Sequence, residues 1–140
     1  MTAAAAAILV DTGPLVALFD RLESRHAEMV DWFAAQKGPL LTVEPVWVEV
    51  SYLLPPRLRG NIARLAASGV PDVRGVGRPG YARMAELFLK YADQDPDWAD
   101  LALVGLAEST GIARIATFDV ADFSVYRING RKRFELELLR

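Results

Sequence analysis

Short, predominantly apolar runs alternate along this chain with longer stretches whose apolar residues recur at helical spacing. Ala5 to Val10, Leu40 to Thr42 and Ala113 to Thr117 have strand length, the pattern of strands buried on both faces of a sheet. After the first run, Thr12 is placed to cap a helix with Pro14 in its first turn, leading into Leu15 to Phe19. Ser24 to about Gln36 predicts a second helix with Met29, Val30, Trp32 and Phe33 on its apolar face, stopped by Lys37-Gly38-Pro39. Val43 to about Leu54 predicts a third, ending before Pro55-Pro56, and Arg57 to Ser68 another, ended by Gly69. An extended piece around Asp72 to Val76 precedes a Gly/Arg/Pro turn and a helix from about Tyr81 to Tyr91. Asp97 to Thr110 predicts a helix that is apolar almost all round, with Gly111 as its stop. Phe123 to Tyr126 and Phe134 to Leu136 are expected as short strands finishing the sheet. Strands alternating with helices predict an α/β fold, a mostly parallel central sheet with helices on both faces.

Four acids fall where such a fold brings residues together. Asp11 follows the first apolar run directly, and Asp119 closes Ile115-Ala116-Thr117-Phe118-Asp119, so both sit at the carboxyl edge where open α/β sheets place ligands. Glu49 lies on the third helix; at about 100° per residue it is roughly 80° from the middle of the Val46/Val50/Leu53/Leu54 stripe, on its border. Asp97 and Asp100 open the long apolar helix. Asp97 is well explained as a cap, but Asp100 is hemmed by Leu101, Leu103 and Val104, and a carboxylate so placed needs a partner. Small Ala99, Ala102 and Gly105 are expected to let that helix approach the sheet. Taken singly, Asp11 is equally a capping residue, Glu49 a solvated one and Asp119 a turn residue; Asp95 and Asp122 are assigned to turns, and His26 to the surface of the second helix. Taken together, four converging carboxylates repel one another unless a cation holds them.

Composition narrows the cation. With no Cys and one His, thiolate and zinc-type sites are excluded, leaving a hard, oxygen-liganded ion such as Mg²⁺ or Mn²⁺ and hence phosphate chemistry. At 140 residues the chain is expected to form one domain over residues 1–140, and the absence of Cys suits a reducing, cytoplasmic setting. No apolar stretch approaches the ~20 residues that span a bilayer, and the alanine-rich start has no basic flank, so it reads as structure and not as a signal peptide. Net charge is −2, but unevenly spread. Arg57, Arg59, Arg64, Arg74, Arg78 and Arg83 face only Asp72 between residues 51 and 85; Glu86, Asp93, Asp95, Asp97 and Asp100 then face only Lys90. An acidic focus flanked by basic segments is what a metal site gripping a polyphosphate strand needs.

These residues resemble a known family. Ile8-Leu9-Val10-Asp11-Thr12-Gly13-Pro14-Leu15, Val48-Glu49-Val50-Ser51-Tyr52-Leu53-Leu54, Asp97-Trp98-Ala99-Asp100-Leu101-Ala102-Leu103 and Ala116-Thr117-Phe118-Asp119 with Asp122-Phe123 are similar, in order, to the PIN domain. The likeness is to the single-domain VapC-type toxins of bacterial and archaeal toxin–antitoxin pairs and covers nearly the whole chain. Departures are Leu101, where an Ala usually follows the third acid, and Pro55-Pro56 after the helix of the second acid. The resemblance implies a PIN-like three-layer sandwich and a Mg²⁺- or Mn²⁺-dependent endoribonuclease, its four acids falling on Asp11, Glu49, Asp100 and Asp119. It implies that Asp11, Asp100 and Asp119 serve the ion, that Glu49 or Asp119 takes a proton from water, and that Asp97, Thr117 and Thr12 support them. Arg57, Arg59, Arg64 and Arg78 are candidate contacts to the RNA backbone. The implied partners are an RNA substrate, a small antitoxin lying in a groove over the acids, and a second copy in a homodimer.

Rival readings share parts of this evidence. A DNA-directed or flap-type nuclease would use the same acids, and a non-catalytic PIN-like binding module would keep the fold. A phosphatase with Asp11 as nucleophile would want an Asp two residues on, where Gly13 stands, and a receiver-like domain lacks its acidic pair and late Lys.

Overall fold

The computed structural model describes residues 6–138. The expected first strand reaches back to Ala5, which lies outside the described residues with the rest of 1–5, as do residues 139–140. Strands β1 (Ile8–Val10), β2 (Leu40–Val43), β3 (Asp72–Arg74), β4 (Arg114–Ala116) and β7 (Glu135–Glu137) form one parallel sheet in the order β3-β2-β1-β4-β7. A separate antiparallel ribbon joins β5 (Arg127–Ile128) to β6 (Lys132–Arg133) through the three residues Asn129-Gly130-Arg131, with Asn129 and Gly130 at positive φ where the chain reverses. β1 is central: Leu9 pairs with Leu41 on one side and Ile115 on the other, and neither Leu9 nor Val10 is exposed to solvent. The apolar runs therefore do what their composition demands, filling strands that helices cover.

Among the described residues seven α-helices flank the sheet: α1 (Thr12–Phe19), α2 (His26–Ala35), α3 (Glu44–Leu53), α4 (Arg59–Ala67), α5 (Gly77–Lys90), α6 (Trp98–Thr110) and α7 (Val120–Val125). The core is built from Met29 of α2, Val46 and Val50 of α3, Leu101, Leu103 and Val104 of α6, and Phe123 of α7 with Tyr126 behind it. Each fully buried Leu, Val or Phe contributes about 1.5–3 kcal/mol by leaving water. The chain steps from β1 to β2 to β3 in one direction and then returns to the far side of β1 as β4. That reversal opens a crevice beyond the carboxyl ends of β1 and β4. Among the described residues no helix is long and apolar enough to cross a membrane.

Several local expectations are corrected. Phe123 to Tyr126 is not a strand: residues 120–125 form α7, capped by Asp119, and the three-residue spacing that buries both Phe123 and Tyr126 is helical. The Gly/Arg/Pro segment is the first turn of α5 and not a loop before it, because Pro79 is tolerated there. Thr12 does not cap α1; Asp11 takes the cap position and the Thr12 hydroxyl is used elsewhere. The second helix starts at His26, two residues late, and the His26 ring is half-buried with Nδ1 2.7 Å from the Ala17 carbonyl. Arg57 to Ser68 divides into a 3-10 turn over Pro56–Leu58 followed by α4. Ala99 and Ala102 do pack inward, but Gly105 is half-exposed with open space over its Cα.

Candidate active site

The carboxyl ends of β1 and β4 deliver the first two acids. Asp11 donates its backbone N–H to the Ala116 carbonyl at 3.0 Å, so the ladder continues one residue past the strand and fixes where the side chain emerges. Thr117, fully buried just after β4, donates its hydroxyl to Asp11 Oδ2 at 2.8 Å and accepts the Asp119 N–H at 2.9 Å. One hydroxyl thus ties the Asp11 carboxylate to the turn that carries Asp119. The cap of α7 follows, with Asp122 N–H donating to Asp119 Oδ1 at 3.2 Å.

Helices supply the rest. α3 brings Glu49 to the crevice from the border of its core stripe, where the Thr12 hydroxyl donates to Glu49 Oε1 at 2.7 Å. At the start of α6, Asp97 accepts the Asp100 N–H at 2.8 Å, the cap expected of it. Asp100 is only 4% exposed, and its Oδ2 accepts the Tyr126 hydroxyl at 2.9 Å. Asp11, Thr12, Gly13, Glu49, Asp97, Asp100, Phe118 and Asp119 line a single open cleft of about 430 Å³. All four acids expected to converge line it, as do Asp97 and Thr12, and Thr117 lies beneath with its hydroxyl on Asp11.

Two further groups belong to the site. Asp122, expected in a turn, lies in the first turn of α7, and oxygens of Asp100, Asp119 and Asp122 all lie within 4.8 Å of one another. Its place three residues after Asp119 was the available signal. Tyr126 carried none that local pattern reading detects, because its partner Asp100 is 26 residues away. The candidate backbone-binding arginines lie apart. Arg57 lines a different cavity, against the end of α1; Arg59 donates to the Ser51 carbonyl at 3.2 Å and Arg64 to Asn61 Oδ1 at 2.7 Å. Arg78 is exposed in the first turn of α5. None of the four is among the residues lining the acid cleft.

The electrostatics call for a cation. Burial pushes the Asp11 carboxyl up to about 6, against the opposing Thr117 hydrogen bond. Burial also pushes Asp100 up to about 8, reinforced by the charges of Asp11 and Asp97 and opposed by Tyr126. Glu49 and Asp122 are raised as well, burial first in each case. Among the described residues no Arg or Lys forms an ion pair with any of these acids. The donor set is all hard carboxylate oxygen, three of them close together, which fits Mg²⁺ or Mn²⁺ and fits no soft-metal site.

Comparison with known proteins agrees with this geometry. The PIN domain model matches residues 8–128. Ribonuclease VapC26 of Mycobacterium tuberculosis (strain ATCC 25618 / H37Rv) is 32% identical over 132 residues, covering 91% of this chain and 97% of the relative. The crystal structure of Mycobacterium tuberculosis VapC20, described as a sarcin-ricin loop cleaving toxin, superposes with a TM-score of 0.69 over 81% of this chain and 91% of that one. At 21% identity that likeness establishes a shared fold.

Proposed function

The chain belongs to the PIN-domain family, and from that premise we propose that it is a Mg²⁺- or Mn²⁺-dependent endoribonuclease acting as the toxin of a toxin–antitoxin pair. The observation that carries the reading is the cleft at the sheet's carboxyl edge, where Asp11, Glu49, Asp100 and Asp119 converge with no cationic side chain paired to them among the described residues. The name of the VapC26 relative supports RNA as the substrate.

In this reading Asp11, Asp100 and Asp119 hold the ion, and Asp122 joins them because its oxygen lies within 4.8 Å of oxygens of Asp100 and Asp119; Asp11 lines the same cleft but stands outside that close trio. A divalent cation bound there supplies Lewis acidity to a water molecule and neutralises charge that builds on the phosphate oxygens. The protein's own residues do the positioning. Thr117 fixes Asp11, Asp97 fixes the backbone at Asp100, and Tyr126 holds Asp100 Oδ2. Water adds to phosphorus, its proton passes to a carboxylate, and the bond from phosphorus to the departing sugar oxygen breaks as that oxygen gains a proton from solvent. Glu49 and Asp119 are the two candidates for the proton acceptor. Glu49 has one oxygen held by Thr12, and burial lifts its affinity for a proton.

The remaining partners and the setting are part of the same proposal. A small antitoxin covers the cleft, two copies of the chain associate, and the setting is the cytoplasm. Arg57, Arg59, Arg64 and Arg78 contact RNA phosphates outside the cleft, so affinity falls with salt. The test is cleavage of mixed structured RNAs and of matched DNA with Mg²⁺ or Mn²⁺, using wild type, Asp11→Asn and Asp100→Asn. Metal-dependent cutting of RNA lost in both variants supports the proposal. Cutting of DNA alone favours the DNA-directed reading, and RNA and DNA left intact by antitoxin-free wild type favour the non-catalytic one.

A further inference from the structure

A second concavity adjoins the acid cleft. Glu44, Pro45 and Val48 of α3, Tyr81 of α5, and Trp98 and Ala99 of α6 line a groove of about 510 Å³, and Glu49 lines both the groove and the cleft. Trp98 sits between Asp97 and Asp100 in sequence yet is 54% exposed, and Tyr81 is 50% exposed. A large ring at the first turn of a helix gains nothing from facing water, so its exposure asks for an occupant. The Trp98 ring is also braced. Phe88 packs behind it with centroids 5.9 Å apart, and Tyr81 stands beside it at 6.1 Å and 44°.

We infer that this groove holds an unpaired nucleobase next to the scissile phosphate, stacked on Trp98 with Tyr81 as its side wall. The inference rests on the nuclease reading of the acid cleft and adds to it a surface that holds the base beside the cut. Shared Glu49 places the two concavities side by side, so a strand with its phosphate among the acids has a neighbouring base within reach of the groove. A volume of about 510 Å³ lies within the roughly 300–1,000 Å³ of small-molecule sites. Flat aromatic walls accept any base by its face. Arg78, exposed one turn before Tyr81 on α5 and in no ion pair among the described residues, is placed to meet the phosphate on the outer side of that base. An A-form duplex keeps its bases stacked inside and offers the groove nothing.

The experiment compares wild type, Trp98→Ala, Trp98→Phe and Asp100→Asn on single-stranded RNA, and on the same RNA with one abasic nucleotide beside the mapped cut. Trp98→Ala is expected to lower kcat/KM by roughly 5- to 150-fold, the range one stacked base confers. Most of the loss is expected in KM, because stacking holds ground state and transition state alike. Trp98→Phe is expected to restore activity to within a few-fold. The abasic substrate is expected to cost wild type a similar factor and Trp98→Ala nothing further, the signature of one shared contact. If Trp98→Ala cuts RNA at the wild-type rate while Asp100→Asn is dead, the groove assignment falls and the nuclease stands. A Trp98→Ala protein whose sedimentation mass halves together with its activity also overturns it, by making the groove a contact between two copies. RNA that wild type leaves intact with either ion removes the nuclease reading and this site with it.

Discussion

Replacing Asp11 by Asn should stabilise the metal-free protein, although it is expected to abolish RNA cleavage. Asp11 is 7% exposed, and burial lifts its carboxyl from 3.8 to about 6. The folded state therefore keeps its proton to higher pH than the unfolded state does. Stability from this group is fullest below about pH 4, falls as pH rises through the folded value of about 6, and is flat above it. At about 1.4 kcal/mol per unit, a shift of about two units makes the ionised form worth roughly 3 kcal/mol of lost stability. Asn carries no charge to desolvate and keeps an oxygen to accept the Thr117 hydroxyl. Urea unfolding of wild type and variant, in chelator, should show no difference near pH 4 and a gap approaching 3 kcal/mol in the variant's favour by about pH 7. In melting temperature that gap is roughly 10 °C for a chain of this size. Taking the difference between the two proteins cancels titrating groups remote from Asp11, such as Glu108, whose carboxyl is lowered beside Arg83, while Asp100, relieved of the Asp11 charge, adds to the gap in the same direction. Saturating Mn²⁺ should then stabilise wild type and barely move the variant, since an ion at 1,000 times its Kd adds about 4 kcal/mol. An Asp11→Asn protein less stable than wild type near pH 7, or a gap that does not change with pH, would refute the reasoning.

Other sites give sharper local tests. Thr117→Val keeps the side chain's shape but removes the donor to Asp11 and the acceptor for the Asp119 N–H; urea unfolding should show a loss of about 2 kcal/mol. Tyr126→Phe leaves Asp100 Oδ2 without its hydroxyl donor, and calorimetric titration with Mn²⁺ should show affinity reduced roughly 10- to 100-fold. Gly13→Ala would set a methyl group 2.9 Å from Phe118 Cδ2, beneath a ring already stacked under Arg25 at 4.2 Å. A loss of about 1–3 kcal/mol is expected, and it should shrink when Phe118 is also cut back to Ala.

The acids at strand ends were legible because local pattern determines them. A buried run followed at once by Asp11, or by Thr117-Phe118-Asp119, leaves the acid at the sheet's edge whatever the rest of the chain does. Glu49 was legible from helical phase, and Asp97 from its capping position. What escaped depended on tertiary partners. Thr12 looks like a cap until α3 brings Glu49 within reach of its hydroxyl. Phe123 to Tyr126 is apolar enough for a strand, and only the cap at Asp119 and the core beneath decide for a helix, which carries Asp122 toward Asp100. Gly77 and Pro79 signal a turn, yet Pro79 falls where a helix needs no N–H, so α5 starts early. The exposure of Tyr81 and Trp98 could not be read at all, because an aromatic residue near an apolar stripe ordinarily belongs to the core.

The central claim is that these carboxylates, with a divalent ion, hydrolyse RNA by water. It is met most directly by adding Mn²⁺ back to chelated wild-type protein and to Asp100→Asn, with end-labelled single-stranded RNA, and reading both the rate and the chemistry of the new ends. Cutting is expected from wild type only after the ion is restored, none from Asp100→Asn, and the new ends should carry linear phosphate with no 2′,3′-cyclic phosphate. Cutting that persists in chelator, survives Asp100→Asn, or leaves cyclic phosphate would mean that the ribose hydroxyl, not water, is the nucleophile or that the chemistry lies elsewhere in the molecule.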